Sequence, residues 1–394
     1  MSYIWERADW PSFRWDAERL LVPLGAARRT QGEFIGLIAH LGCRDRERAE
    51  LDARTEEAVQ TADIEGEPVS RVEVRSSIAR RLNLERGAVA AADAAAEGLV
   101  DMTLDATVEH AAPLTVERLH RWHAGLFPLS LGRREAATAT ARWRDDATGP
   151  MQVVPGRIDK PTVHFEAPPA ERVPAEMETF LRWFEAPSGE DGLLRSATAH
   201  LWLLTIHPYA DGNGRIARAV ADMALARDEG SSRRYFSMSR QINAEKRAYY
   251  DALERAQKGN LDVTDWAIWF LESYVRAIHA ARAMTGDVLK AQAFWRLHEG
   301  VALSDRQRRV LVRFMQDFEG KLTAKKWSAL GKTSADTAQR DIADLVGKGV
   351  LVKNPGGSKN TSYSLVGFDA QVLVEPTTGL EPMTLCLQGR CSTN

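Results

Sequence analysis

Apolar positions recur at helical intervals along most of the chain. Ala197, Leu201 and Leu204 stand at i, i+4 and i+7, and Ile216, Val220 and Met223 repeat the interval. The spacing predicts two buried helices joined by "HPYADGNGR", residues His207 to Arg215. "LTVERLHRWHAGLF" (Leu114–Phe127) has the same rhythm, and helices resume with "AEMETFLRWFEA" and again from Leu193. The first hundred residues read as helical after an opening rich in Trp, Arg and Pro. Within them, "EEAVQTADIEGEP" predicts a helix that stops at Gly66, with Pro68 beyond as a breaker. The Ala-rich "RGAVAAADAAAEGLV" reads as a further helix or helical linker. Between Ala141 and Pro169 the texture changes: "MQVV" and "TVHF" are β-type runs around a Gly- and Pro-containing turn, a β-hairpin on a helical body. Two more helices surround "KGNLD" in residues 245–275, and no internal repeat is visible.

Composition narrows the class. The chain has 394 residues, long enough for two or three cores, with 44% hydrophobic and 27% charged residues and a net charge of −2. That balance makes no general case for nucleic acid or membrane. No apolar run approaches the ~20 residues of a membrane span, and the polar, aromatic start lacks the apolar stretch of a signal peptide. Cys43, Cys386 and Cys391 are too few and scattered for a disulfide framework, so a cytoplasmic protein with reduced thiols is expected. His120 and His123 in "LHRWH" could form half of a metal site, but nothing at ligand spacing completes it, and a structural role is expected.

The segment after Leu204 concentrates chemistry. A helix N-terminus following a Gly-Asn-Gly turn offers unpaired N–H groups and the positive end of the dipole to an anion. Gly212 and Gly214 let the backbone come close to a phosphate, and Arg215 and Arg218, three apart on the new helix, can clamp further oxygens. Asp211 is a hard oxygen ligand of the kind Mg²⁺ takes alongside phosphates, and His207 can exchange protons near neutral pH. Together these groups would hold a nucleotide, neutralise its phosphates and deprotonate an attacking hydroxyl.

"HPYADGNGRIAR" resembles the signature of Fic-domain proteins, His-Pro-Phe-x-(Asp/Glu)-Gly-Asn-Gly-Arg-x-x-Arg, with Tyr209 in place of the usual Phe. The likeness extends over roughly residues 1–366. It implies a mainly α Fic helical bundle with a β-hairpin flap, and transfer of AMP from ATP to a protein Ser, Thr or Tyr hydroxyl, its own included. By the same resemblance His207 is the general base and Asp211 holds Mg²⁺. Gly212, Asn213 and Gly214 bind the α- and β-phosphates, and Arg215 and Arg218 take the outer ones. The hairpin around Gln152, Val153 and Val154 is similar to the flap that aligns the target by strand addition. Tyr249 and Tyr250 are candidates for the adenine side, with packing an equal alternative. Relatives that transfer a phosphate carry Asn-Lys-Arg where this chain has Asn213-Gly214-Arg215, which favours AMP; the donor base is left open.

"TADIEGE" (Thr61–Glu67) matches a second pattern of the family, (Ser/Thr)-x-x-x-Glu-(Gly/Asn). Thr61 and Glu65 share one helical face near a C-terminus closed by Gly66, where a carboxylate is mildly unfavourable unless an arginine offsets it. The resemblance implies that Glu65 pairs with Arg218 and blocks the γ-phosphate, and in some relatives this glutamate also supports removal of AMP.

Past Ser304 lies a separate unit. Its "GKTS" is not a P-loop, because Lys326 stands where that motif needs glycine and no strand precedes it. Leu322–Leu365 resembles a winged helix-turn-helix: a helix over Ala324–Gly331, a second capped by Ser334 that buries Ala338, Ile342 and Leu345, then "GVLVK", the turn "NPGGSKN" and "TSYSL". Ser304–Lys359 holds 12 Lys/Arg against 6 Asp/Glu, a net of +6, leaving −8 on the rest. Contact with DNA and contact with protein are both open for this unit. The expected domains are an N-terminal helical region 1–100 with its inhibitory helix near 55–66, a Fic core 105–275, a helical linker 276–303, the winged helix 304–366 and a disordered tail 367–394. The alternative reading is a DNA-binding regulator with a nucleotide-sensing core. Whether a homodimer forms is left open.

Overall fold

The computed structural model describes residues 2–84, 93–128, 140–147, 149–153, 165–317, 321–355 and 361–368. The protein is mainly α, and it divides into a unit of residues 1–281 and a unit of residues 282–394. In the first, α1 (Ala17–Ala39), α2 (Cys43–Glu65), α3 (Arg71–Leu82), α4 (Ala94–Val108) and α5 (Val116–Leu126) precede a minimal hairpin of β1 (Gln152–Val153) and β2 (Phe165–Glu166). Then come α6 (Val173–Glu185), α7 (Gly192–Ile206), α8 (Asn213–Glu229), α9 (Met238–Ala244), α10 (Lys246–Gln257) and the long α11 (Thr264–Leu297), whose residues from 282 onward belong to the second unit.

The pair α7–α8 packs most extensively and forms the centre of this unit. The sequence placed three residues of α7 on a buried face. In the fold every residue from Ser196 to Ile206 is buried, because α7 is enclosed on all sides, as a helix apolar around its circumference must be. Asp191 caps its start by accepting the Leu193 N–H. On α8, Ile216, Val220 and Met223 are fully buried as the spacing required.

Helix α2 begins at Cys43, well before the segment near 55–66, and lies inside the unit although it is polar. Most of its buried polar groups find partners, Arg46 Nε being an exception among the described residues. Arg54 bonds Glu50 at 3.0 Å, Thr107 Oγ1 at 2.8 Å and the Ser232 carbonyl. Glu57 accepts from Ser237 Oγ at 2.6 Å and from the backbone and hydroxyl of Ser239. Gln60 accepts from Asn243, and Lys246 donates to the Ile64 carbonyl at the helix end, where a cation suits the dipole. Pairing of this kind is what allows charged residues inside a fold. Gly66 (φ 77°) closes the helix in the left-handed conformation, and the Glu67 N–H returns to the Ala62 carbonyl at 3.1 Å.

The hairpin pairs Gln152 with Glu166 and Val153 with Phe165. Of "TVHF" only Phe165 lies among the described residues, and Val154 lies outside them. The second unit contains α12 (Asp305–Asp317), α13 (Ala324–Gly331), α14 (Ala335–Gly347) and the antiparallel strands β3 (Leu351–Lys353) and β4 (Tyr363–Leu365). Its core gathers Phe294, Leu311, Leu322, Trp327, Ile342 and Leu345. Ser334 caps α14, and Ala338, Ile342 and Leu345 are buried beneath it. "GKTS" forms the left-handed end of α13 at Lys332 and the turn after it. Residues 369–394 lie outside the described residues.

Candidate functional site

The segment between α7 and α8 is a tight connection held from three directions. His207 ends α7 in the left-handed region (φ 52°, ψ 58°), a conformation that costs a residue with a Cβ about 1–2 kcal/mol. Neighbouring groups offset that cost. The Arg144 guanidinium donates to the His207 carbonyl at 2.8 Å, to the Pro168 carbonyl and to Asp146 at 2.6 Å, and the Arg144 N–H reaches the Pro208 carbonyl at 2.9 Å. Asn213 spends both ends of its side chain on Tyr209: Oδ1 accepts the Tyr209 N–H at 2.9 Å and Nδ2 donates to its carbonyl at 2.8 Å. The side chain therefore staples the loop, and what Asn213 can offer an anion comes from its backbone. Tyr209 is fully buried, stacked on His123 at 4.1 Å between ring centroids, with its hydroxyl 3.0 Å from His120 Nδ1. The Tyr209 hydroxyl is thus satisfied. His123 Nε2 meets the Asp211 carbonyl at 3.2 Å, so the two histidines of "LHRWH" brace the loop.

His207 Nδ1 faces the Leu204 carbonyl at 3.3 Å. A carbonyl only accepts, so Nδ1 carries the proton and Nε2 keeps its lone pair. Burial is the main cause that lowers its pKa from 6.5 to about 4; Arg144 adds to the effect and Glu65 opposes it. The ring is neutral near pH 7 and able to take a proton.

Past Gly212 (φ 80°), α8 presents its N-terminus and both arginines to the same place. A carboxylate sits there. Glu65 Oε1 accepts from Arg218 Nη2 at 2.7 Å, and Arg218 also donates to Thr61 Oγ1 at 2.6 Å and to the Thr61 carbonyl at 3.0 Å. Glu65 lies so close over Gly214 that a Cβ built on that glycine would be 2.1 Å from Oε1. Burial pushes the Glu65 carboxyl up, but Arg218, then Arg215 and His207, outweigh it and hold it below the ordinary carboxylate range. Arg215 donates from Nη1 to Glu67 Oε2 at 2.7 Å, while among the described residues its buried Nε and Nη2 have no hydrogen-bond partner. Such idle donors beside a helix N-terminus suit a phosphate.

The other candidates fall in several settings. Asp211 is exposed over 61% of its side chain; Oδ1 accepts the Gly212 N–H at 2.6 Å and lies 3.7 Å from Arg215 Nη2. No cluster of three His, Cys, Asp or Glu suited to a metal occurs among the described residues. A lone exposed carboxylate beside a phosphate cradle fits Mg²⁺ that keeps waters and phosphate oxygens as its remaining ligands. Tyr249 is buried with its hydroxyl 2.9 Å from His200 Nε2, among Trp266 and Trp269, and it lies beside Arg218, a packing position. Tyr250 is partly buried and packs on Tyr249 at 5.1 Å. Gln152 Nε2 bonds Glu166 at 2.9 Å across the hairpin. Trp5 Nε1 donates to the Glu166 carbonyl at 2.7 Å, and Tyr3 packs edge-on against Phe165. Sequence reasoning missed Arg144, Glu67, Trp5 and Lys246. The signal open to it was an arginine between a tryptophan and two acids in "ARWRDD" and a second acid in "EGE".

Three buried histidines make stability depend on pH. Burial lowers His123 to about 4, His200 to about 3 and His207 to about 4, from 6.5. The unfolded chain takes up these protons near 6.5 and the folded chain does not. Stability is therefore lost as pH falls below that value, by about 1.4 kcal/mol per group and pH unit, until the folded values are passed. Melting curves between pH 7 and 5 should shift down by roughly 5 °C or more, and a flat profile would contradict neutral burial.

Residues 113–225 match the family model described as Fic/DOC family, and residues 3–84 match that of a domain of unknown function, DUF4172. Among solved structures the chain is similar to a Fic family protein from Desulfovibrio desulfuricans G20, with a TM-score of 0.53 and 20% identity over 90% of this chain and 98% of that one. It is also similar to a Fic domain containing signaling protein from Bacteroides thetaiotaomicron VPI-5482, with a TM-score of 0.46, 16% identity and coverage of 65% and 96%. For Fic-1 of C. elegans the TM-score is 0.46 and the identity 18%, over 69% of this chain and 74% of that one. No curated protein matches. The first neighbour shows the fold, and the family match places a Fic/DOC family domain on the residues that carry His207, the loop and both arginines.

Proposed function

With a Fic/DOC family domain at residues 113–225, in a family whose members typically transfer AMP or other nucleotide groups to proteins, we propose an autoinhibited protein adenylyltransferase. ATP is the donor and a Ser, Thr or Tyr hydroxyl of a protein, this chain's own included, is the acceptor. His207 Nε2 removes the hydroxyl proton, the oxygen attacks the α-phosphorus, and the bond to the β-phosphate oxygen breaks to release pyrophosphate. Backbone N–H groups from Gly212 to Gly214 hold the inner phosphates, and Arg215 and Arg218 the outer ones. Asp211 would hold Mg²⁺, which supplies charge neutralisation on the phosphates. Gln152, Val153 and Val154 would align the target strand.

The observation that carries this reading is the Glu65 carboxylate at the N-terminus of α8, paired with Arg218 where an outer phosphate would bind. An anion site occupied by the chain's own acid supports both a phosphate site and its restraint. Exchange of that carboxylate between Arg218 and an incoming water or product leaves removal of AMP within the same proposal. The test is the mass increment of one AMP, with labelled ATP and Mg²⁺, on protein incubated as wild type and as Glu65→Gly. Absence of label in both, with Glu65→Gly still binding ATP, would turn the reading toward another donor or a nucleotide-sensing regulator.

Arg144 is a positioning residue in this scheme, since it holds the His207 carbonyl. In a Glu65→Gly background, Arg144→Ala should lower kcat about 10- to 100-fold while KM for ATP changes little. A loss of melting temperature with kcat intact would mark the clamp as structural only.

For the second unit we propose a winged-helix docking module in a cytoplasmic protein. Part of its positive charge is internal: Arg306 pairs with Asp341 at 2.7 Å and Lys348 with Asp344 at 2.6 Å. Duplex DNA and a protein target stand as its two candidate partners.

A further inference from the structure

Two carboxylates, two residues apart, each hold one of the two loop arginines: Glu65 on Arg218 and Glu67 on Arg215, both at 2.7 Å. The left-handed turn at Gly66 makes this geometry. It lets the chain leave α2 so that side chains at positions 65 and 67 reach arginines three apart on the facing helix, and the Glu67 N–H bond to Ala62 fixes the register. Resting on the nucleotide reading above, we propose that Glu67 is a second gate, which competes with the outer phosphates of a nucleoside triphosphate for Arg215.

The rest of Arg215 supports competition over simple packing. Its side chain is 5% exposed, yet among the described residues its buried Nε and Nη2 have no hydrogen-bond partner, Nη2 lying 3.7 Å from Asp211 Oδ1. Glu67 therefore satisfies one end of a guanidinium whose other donors remain available to an anion. Its own side chain keeps 32% of its surface in solvent, so it can turn out into water as an incoming anion takes its place on the buried Arg215. Helix α2, in contrast, is locked by Arg54, Glu57, Gln60 and Lys246 and cannot withdraw without breaking the core. Release of the arginines is then a matter of side-chain movement on either side of Gly66, and both acids must move for a triphosphate to engage both arginines. A monophosphate needs neither.

Calorimetric titration of the full-length chain with ATP and with AMP, in Mg²⁺, tests this. The chains compared are wild type, Glu67→Gln, Glu65→Gly and the double variant. Glu67→Gln keeps shape and hydrogen-bonding capacity and removes the charge. It should tighten ATP about 3- to 10-fold in both backgrounds, the size expected for a half-exposed ion pair, and leave AMP unchanged. ATP affinity that stays the same or weakens on Glu67→Gln, while Glu65→Gly tightens it, would overturn the second gate alone and make Glu67 a support for Arg215. Equal tightening of AMP and ATP would overturn it as well, since the effect would not depend on outer phosphates. Failure of every variant to bind ATP would overturn this proposal together with the reading beneath it.

Discussion

Glu65→Gly is expected to raise AMP transfer roughly 30- to 150-fold over wild type. The wild-type carboxylate is bonded to Arg218, which is 3% exposed, and lies against Gly214, so a phosphate reaches that arginine only by displacing it. Breaking one buried, hydrogen-bonded charge pair costs about 2–3 kcal/mol, which sets that range. Arg218 is not stranded by the change, because Thr61 still accepts two of its hydrogen bonds. The variant should therefore fold, with a melting temperature a few degrees lower from the lost pair and the added glycine at the helix end. Acid should not imitate the mutation. Arg218 and its neighbours hold the Glu65 carboxyl below its usual range of about 4.5, so the charged form and the pair persist above that pH and are lost only as pH falls below it. Equal labelling of wild type and Glu65→Gly, at equal protein and saturating ATP, would remove the restraint from the scheme.

How much of this was legible in the chain depends on whether the residues involved act through periodicity, through spacing or through distant pairing. The helices α7 and α8 announced themselves because their apolar positions follow the turn of a helix, and the loop between them because His, Asp, Gly and Arg stand at fixed offsets. The buried extent of α2 did not. No apolar periodicity marks Glu50, Arg54, Glu56 and Glu57 as interior, and they lie inside because they meet partners that local pattern does not connect, such as Ser237 and Ser239 for Glu57. Arg144 was hidden for the same reason, as its bonds to His207 and Pro168 join segments that no local pattern connects. For Tyr249 the sequence left the adenine side and packing equally open, and in the fold its buried hydroxyl meets His200 inside the core. For Asn213, spacing found the residue, and only the fold shows its side chain holding the loop closed.

In the Glu65→Gly background, His207→Ala should cut the rate of transfer by about 10²- to 10⁴-fold, the usual worth of a positioned base, with ATP affinity changed less than about twofold. The split follows from geometry. In the proposed scheme the backbone N–H groups and arginines of α8 face the phosphates, while the imidazole ends α7 and its Nε2 serves the acceptor hydroxyl. The pH profile separates a base from a merely packed ring. Burial holds His207 near 4, so the neutral form that can accept a proton prevails above that value and is lost as pH falls through it. Without Glu65, whose charge raised that value, the inflection moves no higher than about 4. Transfer by Glu65→Gly should thus be independent of His207 ionisation from pH 5 upward. A drop of less than tenfold on His207→Ala would assign the proton to another acceptor. A rate that instead rises through an inflection near 6.5, and loses it on His207→Ala, would mean that the ring becomes solvated when ATP and target are bound.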